Sequence, residues 1–310
     1  MHRRSFVTGL LCSAVAARLQ AEEELSTVLI EANEPRYVAP TTRDRIGRVW
    51  VPVHVDGQGP FRLVLDTGAG PSAMTYRMAK KMGVALDRSP PVRLQGVTGS
   101  AVVPTVAVEL LQVGDLGISP GLMPVVDDVF GGAEGLLGTE GMQQHRIFMD
   151  FQRDRIDIAR SRNQQPAWGF ESVQFLRDPS NLIVVPAMVG SVRVRAIIDT
   201  GAQATAGNLA LRTALRRQLE HGTNADSVVY GATGDKQNAI GTRVAPIHLG
   251  ALTVRDAYIT FADLHIFDTW KMRQTPALII GMDVLGLVEQ LVVDYRRREL
   301  QIKPRGDTSG

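Results

Sequence analysis

The tripeptide Asp-Thr-Gly occurs twice in this chain, and its two aspartates are the residues best suited to do chemistry. Asp66 ends the apolar run Leu63–Leu65, and Asp199 ends the run Ala196–Ile198, 133 positions later. An apolar run that stops at a glycine-containing turn is typical of a buried strand. If the two halves fold alike and face each other, the aspartates meet. Two carboxyl groups in contact share one proton, so one can act as base and the other as acid.

The elements that would position these aspartates are also duplicated. Val51–Phe61 reads as an alternating strand, a glycine turn and a second strand that runs into Asp66. Val184–Val194 repeats this pattern, with Gly190 in the place of Gly57. A repeat of this length indicates two copies of one folding unit.

A glycine-rich segment follows each Asp-Thr-Gly motif. Leu94–Ser100 corresponds to Val229–Asp235, and in both segments two glycines bracket a two-residue tip between strand-like flanks. This pattern predicts a mobile β-hairpin in each half. The residues predicted to contact a ligand from these hairpins are Gly96, Val97, Thr98 and Gly99 in the first half, and Tyr230, Gly231, Ala232, Thr233 and Gly234 in the second.

Both halves then continue and close in the same way. The matching segments are Leu111–Leu116 with Ile247–Leu252, Gly135–Gly138 with Leu278–Gly281, the helix-compatible pieces Thr139–His145 with Met282–Gln290, and the closing hairpins Ile147–Ile158 with Leu291–Ile302. The strands are short and turn signals are frequent, so the predicted fold is mostly all-β, with two homologous lobes and a cleft between them. The predicted organisation is a signal peptide at 1–21, a polar leader at 22–45 that packs loosely or lends an edge strand, an N-terminal lobe at 46–160, an interlobe linker at 161–182, a C-terminal lobe at 183–303 and a disordered tail at 304–310.

With this order of motifs the chain resembles the aspartic protease family, in its bacterial, single-chain retropepsin-like form. The resemblance covers roughly residues 48–303 and rests on Asp-Thr-Gly-Ala, the glycine-rich hairpins and the Leu-Leu-Gly or Ile-Ile-Gly segments. It implies an aspartic endopeptidase in which Asp66 and Asp199 activate a water molecule that attacks a peptide bond. No cofactor and no metal are expected.

The resemblance also implies roles for the neighbours of the dyad. Thr67 and Thr200 would form hydroxyl bonds across the lobe interface, and Gly68 and Gly201 would offer amide groups to the carboxylates. The apolar-apolar-Gly segments would pass behind the active-site loops, and the hairpins would act as flaps over the substrate. Tyr230 resembles the flap tyrosine of pepsin, although it lies in the second half.

One position departs from the family pattern. Thr139-Glu140 follows the first apolar-apolar-Gly segment, where the second copy has Met282-Asp283. The chain is therefore expected to turn differently after this segment in the first lobe than in the second.

The N-terminus predicts export. The basic residues Arg3 and Arg4 precede the apolar run Val7–Ala17 and small residues near Ala21, which is typical of a secretory signal and resembles its twin-arginine variant. Residues 1–21 hold three arginines and no acid, so their removal lowers the formal charge from +2 to −1. We therefore expect the protein to be a periplasmic monomer that acts on polypeptide. We expect it neither to bind nucleic acid nor to insert stably into a membrane.

Other chemistries find little support in the sequence. The six histidines are scattered, and no His-Glu-x-x-His is present. Two alternatives to the single-chain enzyme stay open: a catalytically silent peptide-binding scaffold with the same fold, and an enzyme whose lobes pair across two chains.

Overall fold

A computed structural model of the chain describes residues 28–31, 48–114, 116–177, 182–219 and 224–305. The predicted signal peptide at 1–21 lies outside the described residues, as do the leader apart from 28–31 and the tail from residue 306. Within the described part, no helix is long and apolar enough to cross a membrane.

The elements up to residue 160 belong to the N-terminal lobe, apart from the first strand. They are β1 (Val28–Glu31), β2 (Trp50–Val55), β3 (Gln58–Leu65), β4 (Ala73–Thr75), α1 (Tyr76–Met82), β5 (Val92–Gln95), β6 (Ser100–Val103), β7 (Thr105–Val108), β8 (Leu111–Val113), β9 (Leu116–Ile118), β10 (Gly121–Val126), β11 (Gly135–Leu137), β12 (His145–Asp150) and β13 (Arg155–Arg160).

The remaining elements belong to the connection and the C-terminal lobe. They are β14 (Glu171–Gln174), β15 (Leu176–Arg177), β16 (Ile183–Val189), β17 (Val192–Ile198), β18 (Ala206–Gly207), α2 (Leu209–Ala214), α3 (Arg216–Leu219), β19 (Ala225–Tyr230), β20 (Lys236–Arg243), β21 (Ile247–Leu249), β22 (Leu252–Arg255), β23 (Tyr258–Phe261), α4 (His265–Thr269), β24 (Ala277–Ile280), α5 (Met282–Leu285), β25 (Gln290–Asp294) and β26 (Glu299–Lys303).

The predicted mostly-β, two-lobe fold is confirmed. The N-terminal lobe has one sheet in the order β7-β10-β4-β11-β3-β2-β8-β9, and the C-terminal lobe has one in the order β1-β22-β21-β16-β17-β24-β18-β23-β20-β19. Alternation explains strand β2 of the N-terminal lobe: Val51, Val53 and Val55 are buried, while Pro52 and His54 between them are exposed. The hairpin β5–β6 and the hairpin β19–β20 are the two predicted glycine-rich hairpins.

The apolar-apolar-Gly segments lie behind the active-site loops, as expected. β11 pairs with β3 and β4, and β24 pairs in the same way with β17 and β18. Close packing explains the glycine that ends each segment. A Cβ on Gly138 would lie 2.4 Å from the carbonyl oxygen of Gly70, and one on Gly281 would lie 2.7 Å from the carbonyl carbon of Ala204.

A third sheet joins the two lobes. Its order is β13-β12-β25-β26-β14, so the closing hairpin of each lobe pairs with that of the other. The predicted interlobe linker contributes to this sheet through β14, and β15 pairs with β16. The described part of the predicted leader, β1, lends a parallel edge strand to β22 in the C-terminal lobe.

The helix predicted after the first apolar-apolar-Gly segment is wrong. Residues 139–144 form turns, whereas the second copy forms the short helix α5. Gly141 supplies the physical reason, because its φ of 74° lies in the left-handed region and interrupts a right-handed helix. Even α5 ends at Leu285, before the predicted end at Gln290.

Candidate active site

The two predicted aspartates meet at the lobe interface. Asp66 follows β3 and Asp199 follows β17, and their side chains share a hydrogen bond. Each carboxyl group also lies against the glycine of the opposite motif. A Cβ on Gly68 would lie 2.4 Å from Asp199 Oδ2, and a Cβ on Gly201 would lie 2.3 Å from the Asp66 carboxyl carbon. Only glycine therefore allows the two loops to approach this closely.

The two threonines of the motifs connect the loops across the interface. Thr67 Oγ1 donates to the carbonyl of Ile198 at 2.7 Å, and Thr200 Oγ1 donates to the carbonyl of Leu65 at 2.7 Å. Each hydroxyl also accepts the backbone amide of the other threonine, at 3.1 Å. These bonds join the two lobes within one chain.

Backbone amides orient the carboxyl groups, and they do so unequally. Gly68 N donates to Asp66 Oδ1 at 2.9 Å. Asp199 Oδ1 accepts two such bonds, from Gly201 N and Ala202 N, each at 2.9 Å. Because hydrogen bonds from N–H groups favour the ionised form of a carboxyl, Asp199 is the better site for the negative charge.

Burial dominates the electrostatics of the pair. It raises the pKa of Asp66 well above the ordinary value of 3.8, and the negative charge of Asp199 raises it further. Burial also raises the pKa of Asp199, while the bonds from Ala202, Gly201 and Asp66 lower it. Together with the second backbone amide bond to Asp199, this favours the shared proton on Asp66 and the negative charge on Asp199.

A buried cation lies close to this pair. Arg48 is 7% exposed, and its positive charge lowers the pKa of both Asp66 and Asp199. Its position follows from the strand register, because Trp50 pairs with Val64 and the amide of Leu65 donates to the carbonyl of Val49 at 3.0 Å. Continued by two residues, this register places Arg48 directly opposite Asp66, at the end of the neighbouring strand. Sequence analysis did not single out Arg48, since a basic residue before a strand carries no distinctive signal.

Tyr295 approaches the dyad from the interlobe sheet. Its ring packs edge-on against Phe175, and among the described residues its buried hydroxyl has no hydrogen-bond partner. Burial raises the pKa of Tyr295, and the neighbouring acid Asp66 contributes in the same direction. Tyr295 therefore stays neutral beside the acids.

The first lobe does turn differently after its apolar-apolar-Gly segment, with turns in place of the helix α5, but the acid that follows the segment makes the same contact in both lobes. Glu140 accepts the amide of Ser72 at 2.9 Å, and Asp283 accepts the amide of Thr205 at the same distance. In both lobes the hydroxyl of that Ser or Thr then accepts the amide of the glycine that ends the apolar segment. The extra methylene of Glu140 reaches the same contact. Burial raises the pKa of Asp283, while its bonds with Thr205 lower it.

The two glycine-rich hairpins meet each other at their tips. The lobe-1 flap is residues 92–103 and the lobe-2 flap is residues 225–243. Thr98 Oγ1 donates to the carbonyl of Asp235 at 3.0 Å. A Cβ on Gly96 would lie 2.8 Å from the side chain of Thr233, and one on Gly231 would lie 2.2 Å from Thr98 Oγ1. Every predicted flap position except Tyr230 belongs to this meeting region or borders it.

Tyr230 does not occupy the position expected of a flap tyrosine. Its side chain is 75% exposed and lies directly opposite Lys236 on the outer face of the lobe-2 flap. Strand alternation is the physical reason, because Val229 rather than Tyr230 packs against the apolar cluster beneath the flap.

Two apolar clusters line the space between the dyad loops and the flaps. On the lobe-1 side, Ala69 and Leu94 pack with Phe130 and Leu136. On the lobe-2 side, the tip residue Val97 and Ala202 pack against the cluster that contains Ile279. The clusters join the residue after each Asp-Thr-Gly to the flap strands, so the flaps lie over the dyad loops. No group of three or more metal-ligating side chains occurs among the described residues.

A two-lobe sheet fold with one Asp-Thr-Gly loop from each lobe defines an aspartic protease of the retropepsin-like class. Comparison with protein families agrees, since the model described as aspartyl protease matches residues 51–140 and 185–284, one region in each lobe. The chain belongs to the aspartyl protease family. None of the curated proteins compared with it matches.

Proposed function

We propose that the chain is an aspartic endopeptidase that hydrolyses peptide bonds of extended polypeptides with a water molecule activated by Asp66 and Asp199. The observation that carries this proposal is the hydrogen-bonded carboxyl pair at the lobe interface, in which Asp199 is buried and Asp66 is half-buried. Its single shared proton suits it to act as base and acid in the same step.

The unequal hydrogen bonding of the pair assigns the two roles. The Asp199 carboxylate takes a proton from the water while the water oxygen attacks the peptide carbonyl carbon. Asp66 at the same time gives its proton to the carbonyl oxygen, which yields a neutral tetrahedral diol. In the second step Asp199 returns its proton to the amine nitrogen, Asp66 takes back a hydroxyl proton, and the carbon–nitrogen bond breaks. Both carboxyls end in their starting states.

The cleft supports an extended, apolar substrate. A strand-like peptide can form backbone hydrogen bonds with a flap hairpin that lies above it. Apolar clusters flank the dyad on both sides, through Leu136 in one lobe and Ile279 in the other. We therefore expect apolar side chains on both sides of the cleaved bond.

A peptide library tests this function directly. The mature chain is incubated with the library from pH 3 to pH 8, beside Asp66→Asn and Asp199→Asn variants. Asp157→Asn is the matched control, because Asp157 lies in an exposed ion pair with Arg155. Cleavage by the wild type and by the control, with loss in both dyad variants, is expected.

Two other results would contradict the proposal. Cleavage that survives in either dyad variant would exclude a shared dyad. Absence of cleavage by the wild type, together with tight binding of a statine-type peptide, would favour the peptide-binding scaffold.

We further propose that the protein is exported to the periplasm. The support is the basic and apolar sequence of residues 1–21 and the charge of −1 that remains without it. Cell fractionation with N-terminal sequencing tests this, beside a variant with Arg3→Lys and Arg4→Lys. Full-length cytoplasmic protein from the unchanged sequence would contradict export.

A further inference from the structure

The two lobes differ most in the connection that precedes the apolar-apolar-Gly strand. In the N-terminal lobe, residues 127–134 join β10 to β11. In the C-terminal lobe, residues 262–276 join β23 to β24, and this longer connection contains the helix α4. The extra residues and the helix of this connection therefore occur in the C-terminal lobe, at the edge of the space beneath the flaps.

The first turn of α4 is completed by the lobe-1 flap. The residue that precedes the helix, Leu264, provides no side-chain hydrogen bond to cap it. The amide of Ile266 instead donates to the carbonyl of Val97, at the tip of the lobe-1 flap, at 3.2 Å. Amides in the first turn of a helix have no partner within the helix, so the flap satisfies a group that α4 cannot satisfy itself.

A side-chain bond lies beside this backbone bond. His265 Nε2 and Gln95 Oε1 are 2.7 Å apart. Because the glutamine oxygen can only accept, His265 carries its proton on Nε2 and donates it. The side chain of Val97 packs against the apolar cluster of the C-terminal lobe, which contains Ile266 and Phe267.

The lobe-2 flap has a different residue at the matching place. Tyr230 stands where the first copy has Gln95, and its side chain is turned to solvent. The corresponding connection of the N-terminal lobe is seven residues shorter and has no helix among residues 127–134. Both flaps pack against the apolar cluster that contains Ile266 and Phe267, but the hydrogen bonds to α4 from Val97 and Gln95 come from the lobe-1 flap.

We propose that Gln95, Val97, His265 and Ile266 form a one-sided latch that holds the lobe-1 flap closed over the dyad and over a bound peptide. These are positioning residues, since they act on the flap and not on the reacting atoms. The inference rests on the proposed function, because a peptide substrate must pass the closed flap to reach or leave Asp66 and Asp199.

The latch makes a specific kinetic prediction. A bound peptide leaves only when the flap opens and both latch bonds break. One neutral hydrogen bond is worth roughly fivefold in an equilibrium constant. Gln95→Leu should therefore increase the dissociation rate of a statine-type peptide about fivefold. The chemical step, measured in a single turnover, should change by less than about twofold, since the dyad is untouched.

Hydrogen exchange provides a readout that does not depend on activity. In the free protein the amide of Ile266 should exchange about fivefold faster in Gln95→Leu than in the wild type, because the flap opens more often. Gln95→Glu keeps an oxygen that can accept from His265, so it should restore both the exchange rate and the dissociation rate. Asp268→Asn is the control, since Asp268 is an exposed residue of the same helix.

A double-mutant cycle with His265→Leu completes the test. If the two side chains act as a pair, the double variant should dissociate no faster than either single variant. Exchange and dissociation within twofold of the wild type in Gln95→Leu would overturn the latch, and so would an equal change in Asp268→Asn. Should the wild type neither cleave peptides nor bind the statine, the proposed function fails. The exchange of Ile266 in the free protein then still decides whether the latch exists.

Discussion

Thr67 and Thr200 exchange hydrogen bonds of equal length across the lobe interface. Each backbone amide donates to the hydroxyl of the other threonine at 3.1 Å, and each hydroxyl donates onward to a carbonyl of the opposite lobe at 2.7 Å. Both side chains are fully buried. These four hydrogen bonds fix the position of one Asp-Thr-Gly loop relative to the other. The distance between the carboxyl groups of Asp66 and Asp199 therefore depends on them.

We expect Thr200→Val to weaken both the fold and the active site. Valine keeps the shape but leaves the amide of Thr67 and the carbonyl of Leu65 without their partner, which costs about 3 kcal/mol for the two groups together. A displacement of about 1 Å in the loops would lower kcat about a hundredfold. Denaturant unfolding and peptide cleavage measure the two effects. Thr200→Ser keeps the hydroxyl and should lose less than about 1 kcal/mol; an equal loss in both variants would contradict the role of the bonds.

We expect Gly201→Ala to displace the dyad directly. The new Cβ would lie 2.3 Å from the carboxyl carbon of Asp66, a separation that a carbon pair cannot tolerate. Cleavage should fall at least about a hundredfold, because the carboxyl must move by roughly 1 Å. Gly117→Ala on β9 is the matched control, since its Cβ would meet only a methyl group of Leu110 at 3.2 Å. Full activity in Gly201→Ala would show that the two loops are farther apart in solution.

The paired motifs made the dyad and its supports predictable from the sequence. A tripeptide that repeats after two apolar strands constrains both the local turn and the partner of each strand, so Asp66, Asp199, Thr67 and Thr200 meet as expected. The helix α1 was not predicted, although its signals are present. Thr75 caps its first turn and a glycine ends it, but a helix of seven residues has weak periodicity.

The asymmetric features escaped prediction for a different reason. The helix α4, the contact of Gln95 with His265 and the approach of Arg48 to the dyad each occur in only one lobe, so the repeat does not reveal them. Gln95 and His265 lie 170 positions apart, and a contact at that separation leaves no local pattern. The sequence thus predicts what the duplication preserves, while the differences between the halves require the packed structure.

We expect Asp66→Asn to become more stable than the wild type as the pH rises. Burial raises the pKa of Asp66 in the folded protein, so the stability that its proton contributes is fully present below 3.8, the ordinary pKa, and is lost as the pH rises through the folded pKa. Asparagine has no proton to lose. Above both pKa values, the free energy of unfolding of Asp66→Asn should exceed that of the wild type by about 1.4 kcal/mol for each pH unit by which folding raises the pKa of Asp66.

Asp150→Asn provides a contrast of opposite sign. Burial opposes ionisation of Asp150, but bonds from Arg153 and Gln290 outweigh it and lower the pKa. That variant should lose stability relative to the wild type as the pH rises through the folded pKa of Asp150, because the ionised carboxylate stabilises the fold. Urea unfolding of the three proteins from pH 2 to pH 8 measures both trends, since the window for Asp150 lies below 3.8 and that for Asp66 lies above it. Parallel curves for Asp66→Asn and the wild type would contradict a protonated Asp66 in the folded protein.

We expect Arg48→Gln to move the whole pH profile of kcat/KM to higher pH. The positive charge of Arg48 favours the ionised form of both dyad carboxyls, so its removal raises the pKa of Asp199, which must be ionised, and that of Asp66, which must be protonated. The acid limb and the base limb should therefore both shift upward. Arg48→Lys retains a cation and should keep the wild-type profile more closely. Arg155→Gln removes an arginine from an exposed ion pair on β13 and serves as the control. A profile that stays in place in Arg48→Gln while the total activity falls would assign Arg48 a purely structural role, since a loss of packing lowers the rate at every pH without moving the limbs.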